Sequence, residues 1–135
     1  MPTRNINLSR EARKHVFQHQ IVLATATLQP KSFVDRECGI RIRSIFAVHN
    51  LDNDNATAQP IEVGTVADPD HYASLTITDK VPGSVEVAAL LNPTHVIPAG
   101  TALVIRRANT TAGANTAVVD VHVVYERIDK NPTQG

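Results

Sequence analysis

The sequence contains no tryptophan, one cysteine and one methionine among 135 residues, and aromatic residues make up only 4% of it. Each shortage closes a route. The single cysteine, Cys38, excludes a disulfide within the chain, so stability must come from packing or from association of subunits. With one Cys and no Trp, the markers of an antibody-type immunoglobulin sandwich are missing. The only rings are Phe17, Phe33, Phe46, Tyr72 and Tyr125, few for a surface that stacks on sugars, and the core must be filled by Val, Ile, Leu and Ala. Excess charge is also absent. Thirteen basic and thirteen acidic residues cancel, which argues against nucleic acid as the partner. No run approaches the roughly 18 apolar residues of a spanning helix, so no membrane is expected. Met1 to Gln20 lacks the apolar centre of a signal peptide.

What the sequence does have is a stretch from Thr116 to Ile128 with a period of two. Ala117, Val119, Val121, Val123 and Tyr125 are apolar, and Val118, Asp120, His122, Val124 and Glu126 stand between them. Such alternation puts one apolar set on one side of an extended strand and a mixed set on the other. Burying the three inward valines contributes roughly 5 to 9 kcal/mol gross, before ordering entropy is subtracted. At about 3.3 to 3.4 Å per residue the strand spans roughly 40 Å, long enough to cross a domain centrally.

Residues 1–18 differ in composition, with Arg4, Arg10, Arg13 and Lys14 against Glu11. This reads as a basic N-terminal arm carrying a short helix from Arg10 to Gln18, capped by Ser9 and anchored by Val16 and Phe17. With so little apolar surface, the arm is expected to order against a neighbouring protein. Residues 19–128 then alternate in short segments between turn signals. Gln20–Leu28, Gly39–His49, Ile61–Val66, Ala73–Thr78, Val85–Leu91, Thr94–Ile97 and Ala102–Ile105 precede the long last strand, and residues 129–135 form a polar tail. In the second segment Ile40, Ile42, Phe46 and Val48 are expected on one face, with Arg41, Arg43 and His49 on the other. Glu86 to Leu91 also suits a helical turn. Pro98 and Gly100 suggest a type I turn. Seven or eight strands without a convincing interior helix imply an all-β, jelly-roll-like β-sandwich, with an immunoglobulin-like sandwich as the alternative.

Chemistry-bearing patterns are weak. Asp52-Asn53-Asp54 opens like a calcium loop but has Thr57 and Val63 where that motif needs Gly and Glu. Asp68-Pro69-Asp70-His71 is first a turn. His15 and His19 would share a helix face at zinc-ligand spacing, yet Val16-Phe17-Gln18 between them offers no general base. Asp120, His122 and Glu126 look like a catalytic set but are explained by alternation. Cys38 reads as a packed or idle thiol. No catalytic, cofactor or metal site is expected.

The strand pattern of 19–128, the turn Ile97-Pro98-Ala99-Gly100-Thr101 and the Val-rich strand from Ala117 to Tyr125 resemble the decoration or cement proteins of tailed-phage heads. That resemblance implies a non-enzymatic virion protein on the capsid surface, made in the host cytoplasm, bound to the major capsid protein and forming a homo-oligomer, most simply a trimer. On this reading Arg4, Arg10, Arg13, Lys14 and Phe17 meet the lattice, and Val118, Asp120, His122 and Val124 form the oligomer contact. A carbohydrate- or receptor-binding module of a virion tail or fibre is the alternative.

Overall fold

The computed structural model describes residues 14–23, 27–51, 59–77, 81–108 and 118–128. Among these there is no helix, and nine strands follow in order: β1 (Lys14–Val22), β2 (Lys31–Phe33), β3 (Gly39–Leu51), β4 (Gln59–Gly64), β5 (Ala73–Ile77), β6 (Val85–Val87), β7 (Val96–Ile97), β8 (Leu103–Arg107) and β9 (Val118–Ile128). They form two antiparallel sheets. The long sheet runs β1-β9-β3-β6, with β7 also on β3, and the short sheet runs β2-β8-β4-β5. Setting β7 aside, the pairs β1 with β9, β2 with β8, β3 with β6 and β4 with β5 are nested, as in one hairpin of eight strands rolled up. That winding is the jelly-roll sandwich.

The core lies between the sheets. Ile21, Ile45, Val119, Val121 and Val123 from the long sheet meet Ile61, Ile77, Leu103 and Ile105 from the short one, all fully buried. The apolar set of β9 therefore faces inward as its alternation implies.

Several expectations change. Residues 14–18 are strand, not helix. Every residue of β1 pairs with β9, from Lys14 opposite Glu126 to Val22 opposite Val118, and this long ladder outweighs a marginal helical preference. An arm ending at residue 18 therefore ends inside β1, and the strand expected over Gln20–Leu28 stops at Val22. His15 and His19 share a strand face instead of a helix turn: His15 stacks on Tyr125 at 5.4 Å, and His19 Nε2 bonds the Gln29 carbonyl.

In β3 the pairing slips between Ile42 and Ser44. The extra residue of a β-bulge reverses the side chains that follow it, up to a second shift after His49, so Ile45, Ala47 and His49 point into the core while Phe46 and Val48 point out. The strand near Glu86 is only three residues, with no helical turn after it. Finally, Thr101 N–H bonds Pro98 C=O at 3.1 Å with Gly100 at φ 87° in third place, the geometry of a type II turn.

Candidate functional site

The outer face of the long sheet is the site the fold presents. Its side chains lie in rungs fixed by strand register. Val16, Val124 and Ser44 make one; Gln18, His122, Phe46 and Val87 the next; Gln20, Asp120, Val48 and Val85 the third; Val22 and Val118 lie beyond. The bulge in β3 is what adds Phe46 and Val48 to this face. His122 lies flat on Phe46, ring centroids 4.8 Å apart and planes 11° from parallel. Asn50 Nδ2 donates to Asp120 Oδ2. At one end Glu126 Oε1 accepts from Arg41 at 3.1 Å and pairs with Arg43 at 3.5 Å.

The four residues expected at an oligomer contact, Val118, Asp120, His122 and Val124, thus share one face, and Phe46, Val48, Val85 and Val87 join them. Periodicity alone concealed Phe46 and Val48, because a bulge leaves no mark on the alternation. Asp120, His122 and Glu126 do not converge: each has a different partner, an amide, a ring and two guanidinium groups. The lattice-binding set is divided. Lys14 lies on the outer side of β1 opposite Glu126. Phe17 faces inward and packs on Phe33 at 5.5 Å, with Lys31 Nζ 5.5 Å above its ring. Arg4, Arg10 and Arg13 lie outside the described residues, as does the Asp52-Asn53-Asp54 turn.

Elsewhere, polar groups brace the sandwich. Tyr72 is buried, its hydroxyl bonded to His95 Nδ1, and burial, with the Asp68 charge adding to it, pushes its pKa up to about 12. His71 stands edge-on to Tyr72 at 4.7 Å, and its Nδ1 bonds Asp68, which holds that carboxyl below its ordinary range. No group of three or more metal-ligating side chains occurs among the described residues. His49, inside the sandwich, bonds Glu86 at 2.6 Å and so ties β3 to β6. Arg107 is fully buried on β8, where burial lowers its pKa.

Next to Glu126 at the end of β9, Arg127 donates to Asp35 through Nε at 2.6 Å and a terminal nitrogen at 3.2 Å. Those bonds, with backbone donation from Cys38 and Glu37, lower the Asp35 pKa to about 2. Cys38 is a free, half-buried thiol beside this corner.

No family model matches the chain, and no curated protein matches it. Solved structures share its fold. A chain of the cyanophage Pam1 capsid asymmetric unit superposes with a TM-score of 0.52 at 18% identity, over 86% of this chain and 85% of that one. A chain of the acidic stable capsid of Helicobacter pylori bacteriophage KHP30 does so with a TM-score of 0.57 at 8% identity, over 86% and 89%. At such identities the likeness is one of fold.

Proposed function

We propose that this chain is a non-enzymatic structural protein of a virion, which binds the capsid lattice and stabilises it as a decoration or cement protein. The observation that carries the reading is the outer face of the long sheet, where the half-buried Val118, Val124, Phe46 and Val48 and the exposed Val16, Val85 and Val87 form an apolar strip. A face of this kind suits a protein whose free state is not its working state. The shared fold with chains of two phage capsids supports the setting. In it, copies associate as a trimer through Val118, Asp120, His122 and Val124, and the trimer sits on the major capsid protein at the capsid surface.

The receptor- or sugar-binding alternative draws less support. All five aromatic rings lie in described residues, and none is exposed: Tyr72 and Tyr125 are buried, Phe17 and Phe33 pack on the core, and Phe46 is stacked on His122.

Lattice attachment falls to the basic segment ahead of β1, with Arg4, Arg10 and Arg13. The test is binding to capsids stripped of this protein. Deleting residues 1–13, which spares all of β1, is expected to leave melting unchanged and to weaken binding. Rising salt is expected to weaken wild-type binding as well, since exposed charges act over about 8 Å at physiological ionic strength. Full-strength binding by the deleted protein would remove the arm from the proposal; failure of the intact protein to bind any stripped capsid would remove the cement role.

A further inference from the structure

We infer that neighbouring copies join edge to edge, with β6 of one copy adding antiparallel to the open half of β1 in the next; the inference rests on the homo-oligomer proposed above and says how it is built. The long sheet is edged by β1 on one side and by β6, with the two-residue β7 farther along β3, on the other. On β1 the chain closes part of its own edge. Val22 N–H donates to the Gln29 side-chain oxygen at 3.0 Å, and the Gln29 side-chain nitrogen donates to Val22 C=O at 2.7 Å, so one amide imitates a neighbouring strand. Gln29 does this from a left-handed backbone, φ 48°, with its own carbonyl held by His19.

Residues two apart on a strand aim their backbone groups the same way. Those of Gln20, Gln18, Val16 and Lys14 therefore also face the free edge. Gln18 C=O is taken by Lys31 Nζ at 2.9 Å. Natural sheets plug edges in such ways to prevent uncontrolled pairing. Beside Lys14 and Val16 no plug occurs among the described residues.

On β6, Ala88 N–H bonds Ile45 C=O and Ser84 C=O accepts from His49 N–H, which turns the even-numbered residues toward β3. The backbone groups of Val85 and Val87 then face outward, also without a partner among the described residues.

The two open edges match in length, direction and chemistry. Beyond the Lys31 plug at Gln18, β1 offers two ladder residues, Lys14 and Val16, as β6 offers Val85 and Val87. The strands β1, β9, β3 and β6 alternate in direction, so β1 and β6 run oppositely. A copy rotated about an axis along the strands therefore brings its β6 antiparallel to β1 of the next. Val16 is 58% exposed, Val85 54% and Val87 72%, all on the same outer face. In the register that sets Val16 beside Val85 and Lys14 beside Val87, the four open residues meet, and the lysine stem covers a valine. The contact uses different surfaces on its two sides, so it closes into a ring when the rotation allows. It also carries the apolar outer faces of neighbouring copies side by side, and one assembly buries edge and face together.

The test uses the full chain with Cys38→Ser, into which Val16→Cys and Val85→Cys are placed singly and together, followed by a short bismaleimide and a denaturing gel. The double variant is expected to give a covalent ladder that ends at the trimer, and each single variant to stay monomeric. Val16→Pro, whose lost N–H faces the free edge and not β9, is expected to melt like wild type yet to need at least tenfold more protein to associate. Dimers from either single variant would overturn the head-to-tail contact in favour of a twofold one. A ladder running beyond three would overturn closure. Absence of cross-links in a protein that still sediments as an oligomer would overturn the edge contact while leaving the outer-face oligomer standing; a wild-type monomer at micromolar concentration would remove both.

Discussion

The two sheets expose opposite kinds of surface from the same pleat. On the short sheet the outward side chains include Ser74 and Thr76 of β5, and Glu62 of β4 paired across to Arg106 of β8 at 3.2 Å. On the long sheet they include Val16, Val118, Val124, Phe46, Val48, Val85 and Val87. Both inner faces centre on fully buried aliphatic side chains, so the difference is not one of stability. Hydroxyls and a paired charge stay in water at little cost, whereas an apolar strip on a sheet of long strands gains free energy only when something covers it. The contrast locates the surface that assembles.

The largest expected effect breaks the contrast within one strand. Val121 and Val124 are three residues apart on β9 but face opposite ways. Val121→Asp puts a carboxylate without a partner among fully buried side chains and costs several kcal/mol, against a total of about 5 to 15, so the chain should lose its cooperative thermal transition. A soluble Val121→Asp protein with a sharp melt would show that the inner face is assigned wrongly.

How much of this contrast was legible in the sequence varies by strand. β9 was readable from Val119 to Tyr125, because apolar residues occupy each inward position there. β1 was not: its inward residues are His15, Phe17, His19 and Ile21, and histidines that stack or bond inside a sandwich look polar in a hydrophobic count. The first half of β3 read correctly, then failed after Arg43, where the bulge exchanged the faces and sent His49 in and Phe46 out. The outer-face residues of β9 were visible as a mixed set, but Phe46, Val48 and the edge valines reached that face through register and pairing between distant segments. Such information is non-local, and no periodicity within one strand holds it.

A second break concerns how the short sheet leads into its corner. Gly64 ends β4 where Thr65 N–H bonds Asp68 C=O. A Cβ there would lie 2.5 Å from the Pro69 carbonyl oxygen and closer still to that of Asp68, both backbone atoms that cannot swing away. Gly64→Ala should therefore cost about 2 to 3 kcal/mol, read as a lowered denaturant midpoint with unchanged slope. A neutral result would mean that the 64–69 turn opens freely.

A third measurement sharpens the account of what holds the long sheet's far end. The Asp35 carboxyl is bonded by Arg127, and its folded pKa of about 2 lies below the ordinary 3.8. A depressed carboxylate gives stability that is complete above the unfolded value and is lost as pH falls from there through about 2. Arg127 is partly exposed, so the contribution is discounted to about 1 to 2 kcal/mol. Asp35→Asn should lower stability at pH 7 by that amount and converge with wild type near pH 2. Parallel curves over the whole range would assign the corner to packing.

The smallest effect on folding should accompany the largest on assembly, and it sets the two outer faces against each other directly. Val118→Thr with Val124→Thr keeps β-branched shape on the long sheet, and because both side chains are only half-buried the folded monomer should lose less than about 1 kcal/mol. Association, if this strip is what copies bury, should weaken by at least tenfold, the equivalent of about 1.4 kcal/mol. The matched change on the short sheet is Thr76→Lys, which adds charge to a face already in water and should move both stability and association by no more than about 0.5 kcal/mol. Sedimentation velocity over a dilution series, run beside melting curves, separates the two quantities. If the threonine pair leaves association intact while Thr76→Lys disrupts it, the assembling surface is the short sheet, and the apolar strip must be covered by something other than a second copy.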